Sequence, residues 1–290
     1  MANYTVADIK ALREKTGAGM LDVKKALADA EGDTAKAEEL LRLKGLKVAA
    51  KREGRTASAG LVLSKIVDSA EGQTGYILEA NSETDFVAKN EKFIAFAEEI
   101  LEAAVNSKST SVEELLGVEL ADGTVKDRID TFTGVIGEKL AISSLEVLSG
   151  AHVESYMHRT ATDLPPQVAV LVATDEAGTK VAHDVAVHVA AMNPQYLNEE
   201  EIPADVIENE RRIATEITVA EGKPEAAVAK IVEGRLKGFF KQIALVDQAF
   251  ARDPKMSVGQ VVEAAGGKVT GFKRVRVGEA AAAAAEAEAE

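Results

Sequence analysis

The sequence predicts an α+β chain assembled from several small modules. Three observations carry that prediction. Helical periodicity fills roughly the first fifty residues and returns near 199–237, alternating or continuously apolar runs lie between, and the order strand, strand, helix occurs twice. Apolar residues make up 46% of the 290 but aromatic residues only 4%, so Ala, Val, Leu and Ile must build the cores.

The elements follow in order. Val6, Ile9, Leu12 and Arg13 lie on a first helix that ends near Thr16-Gly17-Ala18-Gly19, and Met20 to Ala30 form a second with Leu21, Val23, Ala26 and Leu27 apolar. Asp33 or Thr34 can cap a third helix carrying Ala37, Leu40 and Leu41, with Gly45 as its natural stop. Three short helices with such turns make a compact bundle, and Lys51-Arg52-Glu53-Gly54-Arg55-Thr56 reads as a charged linker after it. Leu61 to Val67 and Tyr76 to Ala80 are strands, followed by one long amphipathic helix from about Asp85 to Val105. Residues 111–114 and 124–140 look helical and 141–148 extended. After residue 150 the order returns: His152 to Met157, a turn over Thr160 to Pro166, a strand at Gln167 to Val172, and a helix from Thr179 to Met192. Two helical arms at 199–237, broken by Glu221-Gly222-Lys223-Pro224, read as an antiparallel hairpin, with two packed domain helices as the alternative. The final Ala/Glu run has no bulky residue to bury and reads as a mobile acidic tail.

The division that results is 1–55 for the bundle and linker, 56–150 for the first half of the core, and 151–193 with 238–254 for the second half. An inserted hairpin takes 194–237, a short C-terminal module 255–279, and the acidic tail 280–290.

Composition removes several function classes. A formal net charge of −14 opposes a whole-surface grip on nucleic acid, though Lys51-Arg52 with Arg55 and Lys268 with Lys273-Arg274 are local basic patches. Cysteine is absent, which removes disulfides, thiolate metal sites and cysteine nucleophiles together. With no signal-like amino terminus and no membrane-length apolar run, the expectation is a soluble cytoplasmic protein that touches neither membrane nor nucleic acid directly.

Active-site patterns are missing too. The chain has no phosphate-binding Gly-rich loop ending in Lys-Ser/Thr, no Gly-x-Ser-x-Gly elbow and no His-Glu-x-x-His. Gly17-Ala18-Gly19 follows a helix rather than a strand and lacks a third glycine, so it reads as a helix–helix turn. His183 and His188 are five apart, which puts them on different helix faces; no metal or cofactor is expected. His158 reads as a solvent-facing strand end, and Arg13, Met20 and Leu21 as bundle surface or core. Residues 79–90, Glu-Ala-Asn-Ser-Glu-Thr-Asp-Phe-Val-Ala-Lys-Asn, are the most informative stretch. Thr84, Asp85, Phe86 and Val87 sit at a strand-to-helix junction, where polar caps are ordinary and an aromatic beside an acid is not. Phe86 shares a helical stripe with Phe93, Ala97, Ile100 and Ala104, so the alternative is plain core. A built frame without a catalytic constellation points to a protein that acts by binding another protein.

The run Leu12-Arg13-Glu14-Lys15-Thr16-Gly17-Ala18-Gly19-Met20-Leu21-Asp22-Val23-Lys24-Lys25-Ala26-Leu27 resembles the amino-terminal motif of the bacterial elongation factor Ts family. Glu79 to Asn90 resembles that family's second motif, and the likeness continues through 183–191, 232–235 and 269–272. It departs at Ala80, usually a bulkier aliphatic, at a longer hairpin around Leu164-Pro165-Pro166, and in the Ala/Glu tail. The resemblance implies a guanine-nucleotide exchange factor without covalent chemistry, acting on elongation factor Tu in its GDP-bound and nucleotide-free forms. It implies that the bundle, similar to ubiquitin-associated domains, docks on the GTPase domain through Arg13, Met20 and Leu21, with His158 as a further contact. Asp85 and Phe86 would intrude toward the partner's magnesium, positioned by Thr84 and Val87. Homodimerisation through the hairpin stays open. Two other classes compete: a hydrolase or transferase using Asp85 and His158, which would act without any partner, and a non-catalytic adaptor, which would bind a GTPase and leave its nucleotide release unchanged.

Overall fold

In the computed structural model, which describes residues 3–283, the N-terminal bundle forms as its periodicity requires. Helix α1 (Val6–Thr16) starts at Thr5, whose hydroxyl accepts the Asp8 amide while the Asp8 carboxylate accepts the Thr5 amide. It ends where Gly17 turns left-handed at φ 69°. Helices α2 (Met20–Asp29) and α3 (Thr34–Arg52) follow, the latter capped by Asp33. Leu12, Val23, Leu27 and Ala37 close a small core. Gly45 does not stop α3, which runs on to Arg52 and absorbs the start of the expected linker. The reason is tertiary. Gly45 is buried against a later helix, where a Cβ on Gly134 would lie 2.2 Å from the Gly45 Cα, so this glycine serves a backbone crossing rather than a helix end.

Strands β1 (Ala59–Ser69) and β2 (Gly72–Ser82) form an antiparallel hairpin. A single turn, α4 (Asp85–Ala88), and the long α5 (Glu91–Ser107) come next, then α6 (Val112–Leu116), a two-residue ribbon of β3 (Glu119–Leu120) and β4 (Gly123–Thr124), and α7 (Val125–Ile136). Strand β5 (Leu140–Gly150) returns to the free side of β2, giving the order β1-β2-β5. The second half repeats the plan. Strands β6 (His152–His158) and β7 (Val168–Thr174) pair, α8 (Thr179–Met192) follows, and α9 (Ala204–Ala220) and α10 (Glu225–Ile243) form the long hairpin. After the ribbon β8 (Ala249–Phe250) and β9 (Asp253–Ser257) and the short α11 (Val258–Ala264), strand β10 (Val269–Arg276) takes the free side of β7. The C-terminal segment therefore supplies the third strand of the second sheet, order β10-β7-β6.

The two sheets face each other, Val62 and Ile77 against Val153, Ala169, Leu171 and Ala173. Alternate residues point outward: Leu61, Leu78 and Ala80 to Phe93, Phe96 and Ile100 of α5, and Val168, Val170 and Val172 to Val185 and Val189 of α8. β7 is buried on both faces, which explains its unbroken apolar run. Each helix covers the outside of its own sheet, so the strand-to-helix junctions lie at the rim. Among the described residues no helix is long and apolar enough to cross a membrane.

Candidate partner interface

The first-half junction is where the structure departs most usefully from the periodicity. The helix expected from Asp85 to Val105 is broken after Ala88, because Asn90 caps a new helix by accepting the Lys92 amide at 2.9 Å. The break rotates α4 out of register with α5. Phe93 is fully buried, whereas Phe86, on the same nominal stripe, is 79% exposed. The core alternative for Phe86 is thereby excluded. Val87 packs half-buried against the first core and Ala88 is buried, so the turn is seated on one side and presents Phe86 on the other.

Two carboxylates fix the base of this turn. Glu138 accepts the Thr84 amide at 3.0 Å and the Thr84 hydroxyl at 2.8 Å. Glu83 accepts the Lys139 amide and Arg52 Nη1, each at 2.6 Å, through one oxygen, and Arg55 Nη1 at 2.9 Å through the other. Residues 83–84 and 138–139 thus hold each other by a reciprocal exchange. Burial pushes the Glu83 carboxyl upward, but the Lys139 amide and the two guanidinium groups more than offset this and bring its pKa down to about 2. Neither Glu83 nor Glu138 was identifiable as a site residue from sequence, since their partners lie tens of positions away; the one signal was an acid beside Thr84.

Lys89 organises the exposed side. Its ammonium lies 3.1 Å from Asp85, 2.9 Å from Asp163 and 5.5 Å from the centroid of the Phe86 ring. The Asp163 and Asp85 carboxylates raise its pKa. Through Asp163 the hairpin that leaves His158 comes back beside α4. His158 itself is exposed at the end of β6, its Nδ1 3.0 Å from the Tyr156 hydroxyl.

The bundle residues stand apart from this group. Arg13 is exposed, Met20 is 59% exposed and Leu21 82%. Arg13 and Met20 open onto a cleft of about 1430 Å³ between the bundle and the α5–α7 face, with Phe96, Arg128 and Val135 on its far wall; none of Thr84, Asp85, Phe86 or Val87 lines it. The candidate residues therefore form two groups on one molecule, an aromatic turn and a bundle face.

The histidines follow the helix geometry. His183 is exposed and meets Glu154 at 2.8 Å, while His188 is buried. The Ala251 amide donates to His188 Nδ1 at 3.1 Å, so Nε2 donates to Gln248 Oε1 at 2.8 Å. Burial lowers the His188 pKa, with the Gln248 bond opposing. Among the described residues no three or more of His, Asp and Glu are grouped so as to hold a metal ion.

The family model described as elongation factor TS matches residues 83–279. Proteins named Elongation factor Ts are similar over almost the whole chain. That of Beutenbergia cavernae is 56% identical over 280 residues, 96% of this chain and 100% of the relative. That of Micrococcus luteus is 56% identical over 281 residues, with 96% and 100% covered. That of Bifidobacterium longum subsp. infantis is 50% identical over 278 residues, with 96% and 98% covered.

Proposed function

The chain belongs to the elongation factor Ts family of bacterial translation elongation factors, and from that premise we propose that it binds elongation factor Tu carrying GDP and promotes release of the nucleotide. The observation that carries the reading is Phe86, 79% exposed on a turn whose base is clamped. A GTPase holds GDP through backbone amides at a helix start and through magnesium, which demands close octahedral geometry. A small displacement of the supporting helices therefore weakens metal binding sharply. Phe86 supplies the displacement: burying the ring in the partner gains roughly 1.5–3 kcal/mol. Because the turn is fixed beforehand, little of that gain is spent on ordering it.

Asp85 brings a carboxylate to the same place, ion-paired with Lys89 in the free protein and available to the metal region on docking. Thr84 and Val87 hold the turn to the body of the protein through Glu138 and the first core. Arg13, Met20 and Leu21 dock the bundle on the GTPase, and His158 contacts the partner beside the turn. No bond is made or broken. By linkage, whatever factor this protein imposes on GDP affinity, GDP imposes on the affinity for this protein. The nucleotide-free complex is accordingly the tight one. Its setting is the cytoplasm, with no direct contact to nucleic acid.

Release of labelled GDP from elongation factor Tu, measured with and without the protein, tests the reading. Phe86→Ala should slow the stimulated rate by between about tenfold and a hundredfold, most clearly when magnesium is plentiful. Its melting temperature should stay close to that of the parent, since the ring packs on little. Binding without any acceleration would instead identify an adaptor.

A further inference from the structure

We propose that Glu83 is a positioning residue that couples the end of the N-terminal bundle to the turn presenting Phe86. The inference rests on the exchange reading above and adds a residue and a connection to it. Three separate segments end on this one carboxylate: α3 through Arg52, the segment after it through Arg55, and the α7–β5 connection through the Lys139 amide. The Glu83 and Arg52 side chains are largely shielded, 16% and 23% exposed, while Arg55 reaches in from the surface at 55%. Bonds from guanidinium to carboxylate are among the stronger ones a protein makes, and shielding from water keeps them so.

The surroundings close the connection from both sides. Lys139 Nζ reaches back to the Glu53 carbonyl at 2.6 Å and the Arg55 carbonyl at 2.7 Å, so Lys139 and residues 53–55 bind each other independently of Glu83. Glu138, next in the chain, holds Thr84 by amide and hydroxyl. α3 also crosses α7, which leads into this segment, at the Gly45–Gly134 contact. A rotation of the bundle on docking therefore arrives at the residue immediately before Thr84-Asp85-Phe86. The carboxylate of Glu83 is bonded to Arg52, Arg55 and the Lys139 amide, and its geometry joins these segments.

The test is a cycle of variants. Glu83→Gln removes the charge and keeps an acceptor for the Lys139 amide. Arg52→Gln with Arg55→Gln removes the guanidinium bonds to Glu83 and leaves the carboxylate, the Lys139 bridge and the glycine crossing in place. GDP release from elongation factor Tu is measured over a range of factor concentrations, giving the maximal rate and the half-saturating concentration, with a thermal melt of each free variant. Phe86→Ala is run in parallel.

The expected result is a maximal rate lowered about five- to tenfold by Glu83→Gln and by the arginine pair alike. The triple variant should fall no more than about twofold below either, because all three residues act through one connection. A merely structural Glu83 would lower the melting temperature and leave the maximal rate of the folded protein unchanged, and that outcome overturns the proposal. Effects that multiply in the triple variant overturn it as well, since the residues would then act separately. If Glu83→Gln does not fold, a normal maximal rate in the arginine pair still overturns it. Should Phe86→Ala slow release while Glu83→Gln does not, the exchange reading stands and only this inference falls. If the parent protein fails to accelerate release, both fall.

Discussion

The two halves of the core solve the same local problem differently. In each, the middle strand of a sheet must turn into the helix that covers it, and in each a carboxylate at the turn captures a distant backbone amide. In the second half Asp175 accepts the Gly178 amide at 2.8 Å and the Lys268 amide at 3.0 Å, and its own amide donates to the Lys268 carbonyl. The connection is as tight as a backbone allows: a Cβ on Gly267 would sit 2.3 Å from the Gly178 nitrogen. In the first half Glu83 and Glu138 make the equivalent captures, but an extra helical turn stands between the strand and α5, and Phe86 projects from it. A duplicated frame thus carries one closed junction and one opened junction. The difference between a closed end and an end that presents an exposed aromatic ring is one inserted turn with a break behind it.

Damage to the closed junction should give the largest loss of stability and the least specific loss of function. Gly267→Ala forces a methyl group against the Gly178 backbone and should cost about 1–3 kcal/mol. Calorimetry should register a fall in melting temperature of about 2–4 °C for each kcal/mol, while the folded protein keeps its exchange rate at 25 °C. An equal loss of rate would show that the second junction also acts on the partner, and the contrast between the halves would break.

Acid titration sharpens the comparison at the opened junction. The Glu83 pKa lies near 2, below its ordinary value near 4.5, so its stabilisation is fully present above pH 4.5 and is lost as pH falls through about 2. The difference in denaturant midpoint between the parent and Glu83→Gln should therefore stay constant from pH 7 to about 4.5 and shrink toward zero nearer pH 2. A difference already declining at pH 6 would contradict the depressed pKa and the bonds behind it.

The smallest effect is expected where β10, the strand closing the second junction, leads into the Ala/Glu tail. Removing 280–290 keeps the ion pair of Arg274 with Glu279 at 2.9 Å. Melting temperature and exchange rate should not move measurably. The expected mobility of that tail concerns residues of which 284–290 lie outside those described.

What was legible in the sequence was whatever depends on neighbours in the chain. The starts of α1 and α3, the pairing of β1 with β2, and α8 from Thr179 to Met192 all follow from caps, turns and periods. What was not legible depends on residues far apart. Gly45 has the form of a stop and becomes a contact only because α7 arrives beside it. β10 finds β7 across the whole second half. The carboxylate exchange joins positions 83–84 to 138–139. Phe86 lies between the two cases. Its apolar stripe argued for core, and the overriding signal, Asn90 as a cap for a second helix, is local and was open to reading.

The crossing of α3 over α7 carries a mechanical implication. With glycine on both sides the helices meet backbone to backbone, so there is no side-chain cushion to compress or re-pack. Arg52 at the far end of the same helix, and Arg55 just beyond it, make a second attachment on Glu83. The spacing between the bundle and the aromatic turn is therefore set at two separated points, the glycine crossing and the Glu83 carboxylate.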